Sequence, residues 1–103
     1  MTDGDSPQVI DNKTASRFEV RGEDEVAELI YRKNGNRLVL VHTGVPDALA
    51  GHGIAGQLVQ AAVDEAAASG MTVVPLCPYA RSWLKRHPDE AAKVSIDWPQ
   101  LGH

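Results

Sequence analysis

The sequence holds a single cysteine, Cys77, so no disulfide can form within it and a cross-linked scaffold is excluded. Aromatic residues are scarce, 5% of 103, which leaves Val, Leu, Ile and Ala to build the core. No apolar stretch approaches the roughly 20 residues of a membrane-spanning helix. The first residues carry Asp3 and Asp5 where a secretory leader would carry basic and apolar segments. A cytoplasmic protein with no membrane partner is expected. Positive charge is also in short supply: 10 Lys and Arg stand against 14 Asp and Glu, a net charge of -4. Nucleic-acid binding, which draws on a basic face, is therefore not expected, whereas a cationic substrate would suit the balance. His42, His52, Cys77 and His87 show no paired ligand spacing, so no metal site is expected.

What is present fits one domain of ordinary composition, 43% hydrophobic and 23% charged. Residues 1–8 read as an N-terminal tail, 9–94 as the folded domain and 95–103 as a C-terminal tail. Short strand-like runs occur at Val9-Ile10-Asp11 and Arg17-Phe18-Glu19-Val20. Beyond the turn at Gly22-Glu23-Asp24, Val26, Glu28, Ile30 and Arg32 alternate with Ala27, Leu29 and Tyr31, the period of a strand. Asn34-Gly35-Asn36 marks a hairpin, and Arg37 to Val41 reads as a central strand buried on both faces. The pattern then changes. Ile54 to Ser69 has helical period, with Gly70 placed to close it. Met71 to Leu76 is a further strand, Pro78 to His87 a second helix, and Pro88 to Val94 suits one more short turn or helix. The expected class is α+β: an antiparallel meander followed by helix, strand and helix on a mixed sheet.

Gly51-His52-Gly53-Ile54-Ala55-Gly56 opens the first helix. Glycines let backbone approach a ligand closely, and the first amides of a helix have no internal partners while the dipole favours negative charge there. Together these can cradle a phosphate. The plainer alternative is that the glycines only shape the entry to the helix. No Lys-Ser or Lys-Thr follows, so the loop is not a P-loop.

Leu76-Cys77-Pro78 joins the last strand to the second helix, with Pro78 suited to the first helical position and Cys77 to the N-cap. A thiol at that place feels the positive end of the dipole, which favours thiolate. Packing as a small buried residue is the plainer alternative. His42, at the end of the central strand, is the candidate base if the two meet. Arg81, Lys85, Arg86 and His87 form a basic cluster that either clamps ligand phosphates or complements the helix C-terminus, and the second reading is favoured.

Three segments taken together carry a resemblance: His42-Thr43-Gly44-Val45-Pro46, then Gly51-His52-Gly53-Ile54-Ala55 with Leu58-Val59, then Val74-Pro75-Leu76-Cys77-Pro78-Tyr79 through Arg86-His87-Pro88. In order and spacing the chain, from about Val9 to Val94, resembles a family of minimal GNAT-like N-acetyltransferases. The resemblance implies a truncated GNAT core, a mixed sheet with a β-bulge or splay, and acetyl-CoA as co-substrate. It implies that the backbone of Gly51, His52, Gly53, Ile54, Ala55 and Gly56 holds the pyrophosphate. His42, Thr43 and Val45 would run along the pantetheine arm, with Cys77 near the thioester as carrier or modulator. The other partner would be an amine acceptor, a small molecule or a protein lysine. Two positions depart from the family pattern: Gly44 stands where Glu is usual, and Ala50 where Arg or another polar residue is common. The alternatives to an acetyltransferase are a non-catalytic module that binds coenzyme A or acyl-CoA, and a small interaction domain without a ligand.

Overall fold

A computed structural model of the chain describes residues 8–100. The expected N-terminal tail therefore lies, apart from Gln8, outside the described residues. Six strands form one sheet in chain order: β1 (Ile10–Asn12), β2 (Arg17–Arg21), β3 (Val26–Asn34), β4 (Arg37–Gly44), β5 (Thr72–Pro75) and β6 (Ser95–Ile96). The first four pair antiparallel, while β4 with β5 and β5 with β6 are parallel. Parallel neighbours need a long crossover, and α1 (Ile54–Ser69) supplies it between β4 and β5. Two further α-helices, α2 (Pro78–Arg86) and α3 (Pro88–Ala91), and a short 3-10 helix (Asp47–Leu49) between β4 and α1 complete the chain of elements. Among the described residues no helix is long and apolar enough to cross a membrane.

The meander follows from period-two patterning. Phe18 pairs with Leu29 and Val20 with Ala27, so their side chains share one face. Tyr31, Leu38, Leu40 and Val73 extend that face, and all are buried against Leu58, Val59, Ala62, Val63 and Ala66 of α1. The β3–β4 hairpin closes through Gly35 and Asn36, with Gly35 at φ 63°, the backbone that glycine adopts at little cost. Gly70 ends α1 in the left-handed region at φ 67°, and its amide caps the carbonyl of Ala66.

Two expectations are corrected. The central strand β4 is not buried on both faces: Leu38 and Leu40 are fully buried, whereas Val39 and Val41 are only half-buried. The buried residues of the helices belong to a single core, and among the described residues the helices pack on one side of the sheet. Residues 95–96, read from the sequence as part of a tail, instead form β6, and the Asp97 amide continues its pairing by donating to the Val73 carbonyl at 2.9 Å.

Two irregularities position everything that follows. The β3–β4 register shifts between Ile30 and Tyr31: Ile30 pairs with His42 but Tyr31 with Leu40, so Val41 is an extra residue on β4. A bulge of this kind breaks the ladder locally and turns the following side chains over. The second irregularity is that β5 stops at Pro75, opposite Leu40, while β4 runs on to Gly44. Proline has no N–H to extend a ladder. The chain then folds back, with the Leu76 amide donating to Val74 at 3.1 Å and the Cys77 amide to the Leu40 carbonyl at 2.9 Å. Past Leu40 the two strands no longer pair, and among the described residues the backbone of 41–44 has no strand partner on its β5 side.

Candidate functional site

The glycine loop lies between the end of β4 and the start of α1. Gly51 and Gly53 lie at φ 85° and 70°, so a side chain at either position would be strained. Nothing stands within 4 Å of where their Cβ atoms would be, which leaves the approach to the helix open. Gly53 is the N-cap and offers no side chain to the first amides of α1. The first intrahelical bond of this turn runs from the Gln57 amide to the Gly53 carbonyl at 3.1 Å. The amides of Ile54, Ala55 and Gly56 precede it and are the unpartnered donors that any helix start presents. A depression of about 210 Å³ covers this turn, lined by Val45, Leu49, the loop glycines, Ala55, Gly56 and Tyr79. Backbone donors at one end and apolar walls along the other fit a diphosphate joined to a mostly apolar arm.

The loop residues differ in what they can contribute. His52 is exposed and Ala55 and Val45 are half-buried, while the Ile54 side chain is in the core, so only its backbone faces the depression. Gly56 has a second task. A Cβ there would stand 2.9 Å from Trp83 Nε1 on α2, so its missing side chain is what lets the two helices touch. Leu49 and Tyr79 are lining residues that sequence reasoning did not single out as site residues. The signal for Tyr79 was its place, one residue after the proline that begins α2.

The bulge decides which side chains meet. Strict alternation from Leu38 and Leu40 would have sent His42 inward and Thr43 outward. With Val41 inserted, Thr43 pairs with Leu29 and turns to the helix side, while His42 pairs with Ile30 and is exposed on the other face. Thr43 Oγ1 consequently lies 3.1 Å from Cys77 Sγ, and Cys77 is buried at 3% exposure. The thiol's hydrogen-bond partner among the described residues is thus Thr43 and not His42. The sequence-level pairing of His42 with Cys77 as base and nucleophile is not formed.

The basic cluster on α2 divides in the same manner. Arg81 Nη1 donates to the carbonyls of Pro75 and Leu76 at 3.2 and 2.6 Å, tying down the turn between β5 and α2. His87 stacks on Trp83 with ring centroids 4.1 Å apart, and its Nδ1 lies 2.8 Å from the Trp83 carbonyl. Lys85 lies over Trp98. Arg86 bonds back to the Ser82 carbonyl and lies 6.0 Å from the centroid of Tyr79, at the edge of the depression. Complementation of the helix C-terminus, the reading favoured for this cluster, fits Arg86 and His87, while Arg81 serves the turn before the helix instead. Among the described residues no group of three or more His, Cys, Asp or Glu could hold a metal ion.

The family model described as GCN5-related N-acetyl-transferase matches residues 17–94. The chain is 37% identical to the protein NATD1 of Gallus gallus over 84 residues, covering 79% of this chain and 76% of that one. Against NATD1 of Mus musculus it is 34% identical over 91 residues, 85% of this chain and 83% of the other. Its fold is similar to the NMR solution structure of a GCN5-like protein from Staphylococcus aureus, with a TM-score of 0.67 at 23% identity, covering 93% and 91% of the two chains. The segment with the bulge, the splayed strands and the glycine loop all falls within the matched residues, and the chain belongs to the GCN5-related N-acetyltransferase family.

Proposed function

We propose that the protein transfers an acetyl group from acetyl-CoA directly to a primary amine. The observation that carries this reading is the separation of β4 from β5 next to an uncapped helix start. The amides at Ile54, Ala55 and Gly56 would hold the diphosphate, with Gly51, His52 and Gly53 as the loop that lets it approach. The unpaired edge of β4 from Val41 to Gly44, continued by Val45, offers backbone donors and acceptors to the two amides of pantetheine, as a sheet edge does to an added strand. The local break in the ladder at Val41 supplies backbone polar groups near the reacting carbonyl, where charge develops in the transition state. His42, exposed on the far face, accepts a proton from the amine directly or through water. Starting from the ammonium form, that transfer leaves a neutral amine whose nitrogen bonds to the acetyl carbon as the carbon–sulfur bond breaks; one of its two N–H protons then passes to the departing thiolate as free CoA–SH and the other stays on the amide.

The burial of Cys77 and its contact with Thr43 support a role in shaping the cleft, with no covalent acetyl carrier. The test is release of free CoA thiol from acetyl-CoA in the presence of an amine panel, followed by intact-mass analysis of the protein. Amine-dependent release without an acetylated protein is expected, and Cys77→Ala retains turnover within about tenfold. Rapid acetylation of Cys77 during turnover would overturn direct transfer. A second reading, a module that binds acyl-CoA without turnover, draws on the missing carboxylate at Gly44. Saturable CoA binding with no amine-dependent thiol release would select it.

A further inference from the structure

We infer that Glu28, held beside His42 over the gap at Gly44, is the carboxylate that binds a cationic acceptor on the sheet face turned away from the helices. This rests on the acyl-transfer reading above. Gly44 does not have the left-handed backbone of Gly35, Gly51, Gly53 and Gly70, so its conformation does not demand glycine. Nor does crowding demand it. A Cβ at this position would meet its nearest neighbours at 3.5 to 3.9 Å, ordinary van der Waals contact. What the glycine provides is space.

The groups facing that space are polar. His42 Nε2 lies 3.5 Å and Glu28 Oε2 3.9 Å from the point where the Cβ would stand. Glu28 reaches it from the neighbouring strand, because Glu28 and Gly44 are register partners. Its other oxygen, Oε1, accepts from Arg17 Nη1 at 2.8 Å, which fixes the carboxylate. Oε2 has no hydrogen-bond partner among the described residues and is turned to the gap. Glu19, the neighbouring acid on β2, is in contrast fully engaged by Asn12, Arg17 and Arg21 and is buried at 1% exposure. Glu28 is 27% exposed and reachable.

A carboxylate oxygen and an imidazole nitrogen converging on one gap suit a group with several N–H donors and positive charge. An ammonium has three such donors and no acceptor, so one N–H can go to Glu28 and another to His42. A hydroxyl or thiol acceptor could satisfy one of them at most. The gap adjoins Thr43 and lies on the strand that borders the cleft, so an amine held there is next to the reacting end of the coenzyme. The substrate class is a primary amine presented as a cation, and the arrangement takes over from β3 the carboxylate that residue 44 does not provide.

The experiment compares acetyl transfer to spermidine and to a lysine-containing peptide by wild type, Glu28→Gln, Gly44→Ala and the double variant Glu28→Gln/Gly44→Glu, with CoA titrated calorimetrically into each. Glu28→Gln keeps the shape and the Arg17 contact, so CoA affinity should stay unchanged. The amine KM should rise about tenfold or more, with a smaller change in kcat. Gly44→Ala should also raise the amine KM, by filling the gap. The double variant should recover much of the loss by returning a carboxylate to the same place. Unchanged amine KM in Glu28→Gln, with wild type transferring acetyl to the amines, would overturn the role of Glu28 and leave the acyl-transfer reading standing. No amine-dependent transfer by a wild type that binds CoA would overturn the acyl-transfer reading. Absence of CoA binding in every chain would overturn the underlying reading itself.

Discussion

At position 19 a carboxylate sits in a strand whose alternating partners, Phe18 and Val20, point into the core, so Glu19 faces the side of the sheet without helices. It is buried there by its own partners. Asn12 donates to it at 3.0 Å, Arg17 makes a close charge-assisted contact, and Arg21 donates at 3.0 Å. Burial alone would raise its pKa, but these three donors together outweigh burial and hold the carboxyl below its ordinary value. A depressed folded-state pKa contributes stability above the unfolded value and loses it as pH falls through the folded one. Glu19→Gln should therefore lower stability at neutral pH by about 1–3 kcal/mol. Urea unfolding of the two chains should show that gap narrowing below roughly pH 4.3, the ordinary glutamate value. A gap that widened on acidification would contradict this account. At this scale the sequence is least legible. Cys77 and Thr43 stand 34 positions apart and meet through a register shift, and the same shift parts His42 from Cys77. Nothing in the composition of Val39-Leu40-Val41 marks where an extra residue enters.

Among elements, the punctuation was readable wherever a residue type forces the backbone. Gly70 closes α1, Pro78 opens α2, Pro88 opens α3, and Gly35 turns the β3–β4 hairpin. Pro75 ends β5 for the same reason, and that stop creates the cleft. The two-residue strand β6 was not readable, since Ser95 and Ile96 are too short a run to show a period and gain their structure from pairing with Thr72 and Val73. The glycine loop was legible as the opening of α1, but one of its members also answers to packing. Gly56 lies against Trp83, and the indole can yield only by disturbing its stacking on His87. Gly56→Ala should cost about 1–3 kcal/mol, the usual price of overpacking, in spite of alanine's better helix propensity. Chemical denaturation measures the cost, and the Trp83 emission should shift with it. A neutral or stabilising outcome would show that α1 and α2 can separate freely.

The molecule as a whole divides its labour between the two faces of one sheet. The helical face holds the core, the glycine loop and the Thr43–Cys77 contact, while the open face carries His42, Glu28 and the Arg17–Glu19 network. On the proposed reading, coenzyme and amine meet from opposite sides where β4 and β5 separate. A net charge of -4 agrees with the cationic acceptor proposed above. The central claim is that the start of α1 and the unpaired edge of β4 together hold coenzyme A. An amide-resolved NMR titration with CoA tests this most directly. Saturable shifts are expected at Val41 to Thr43 and at Gly51 to Gly56, with a dissociation constant below roughly 1 mM, the upper range of ordinary substrate affinities. No saturable change at that concentration, or changes confined to residues away from the cleft, would contradict the account.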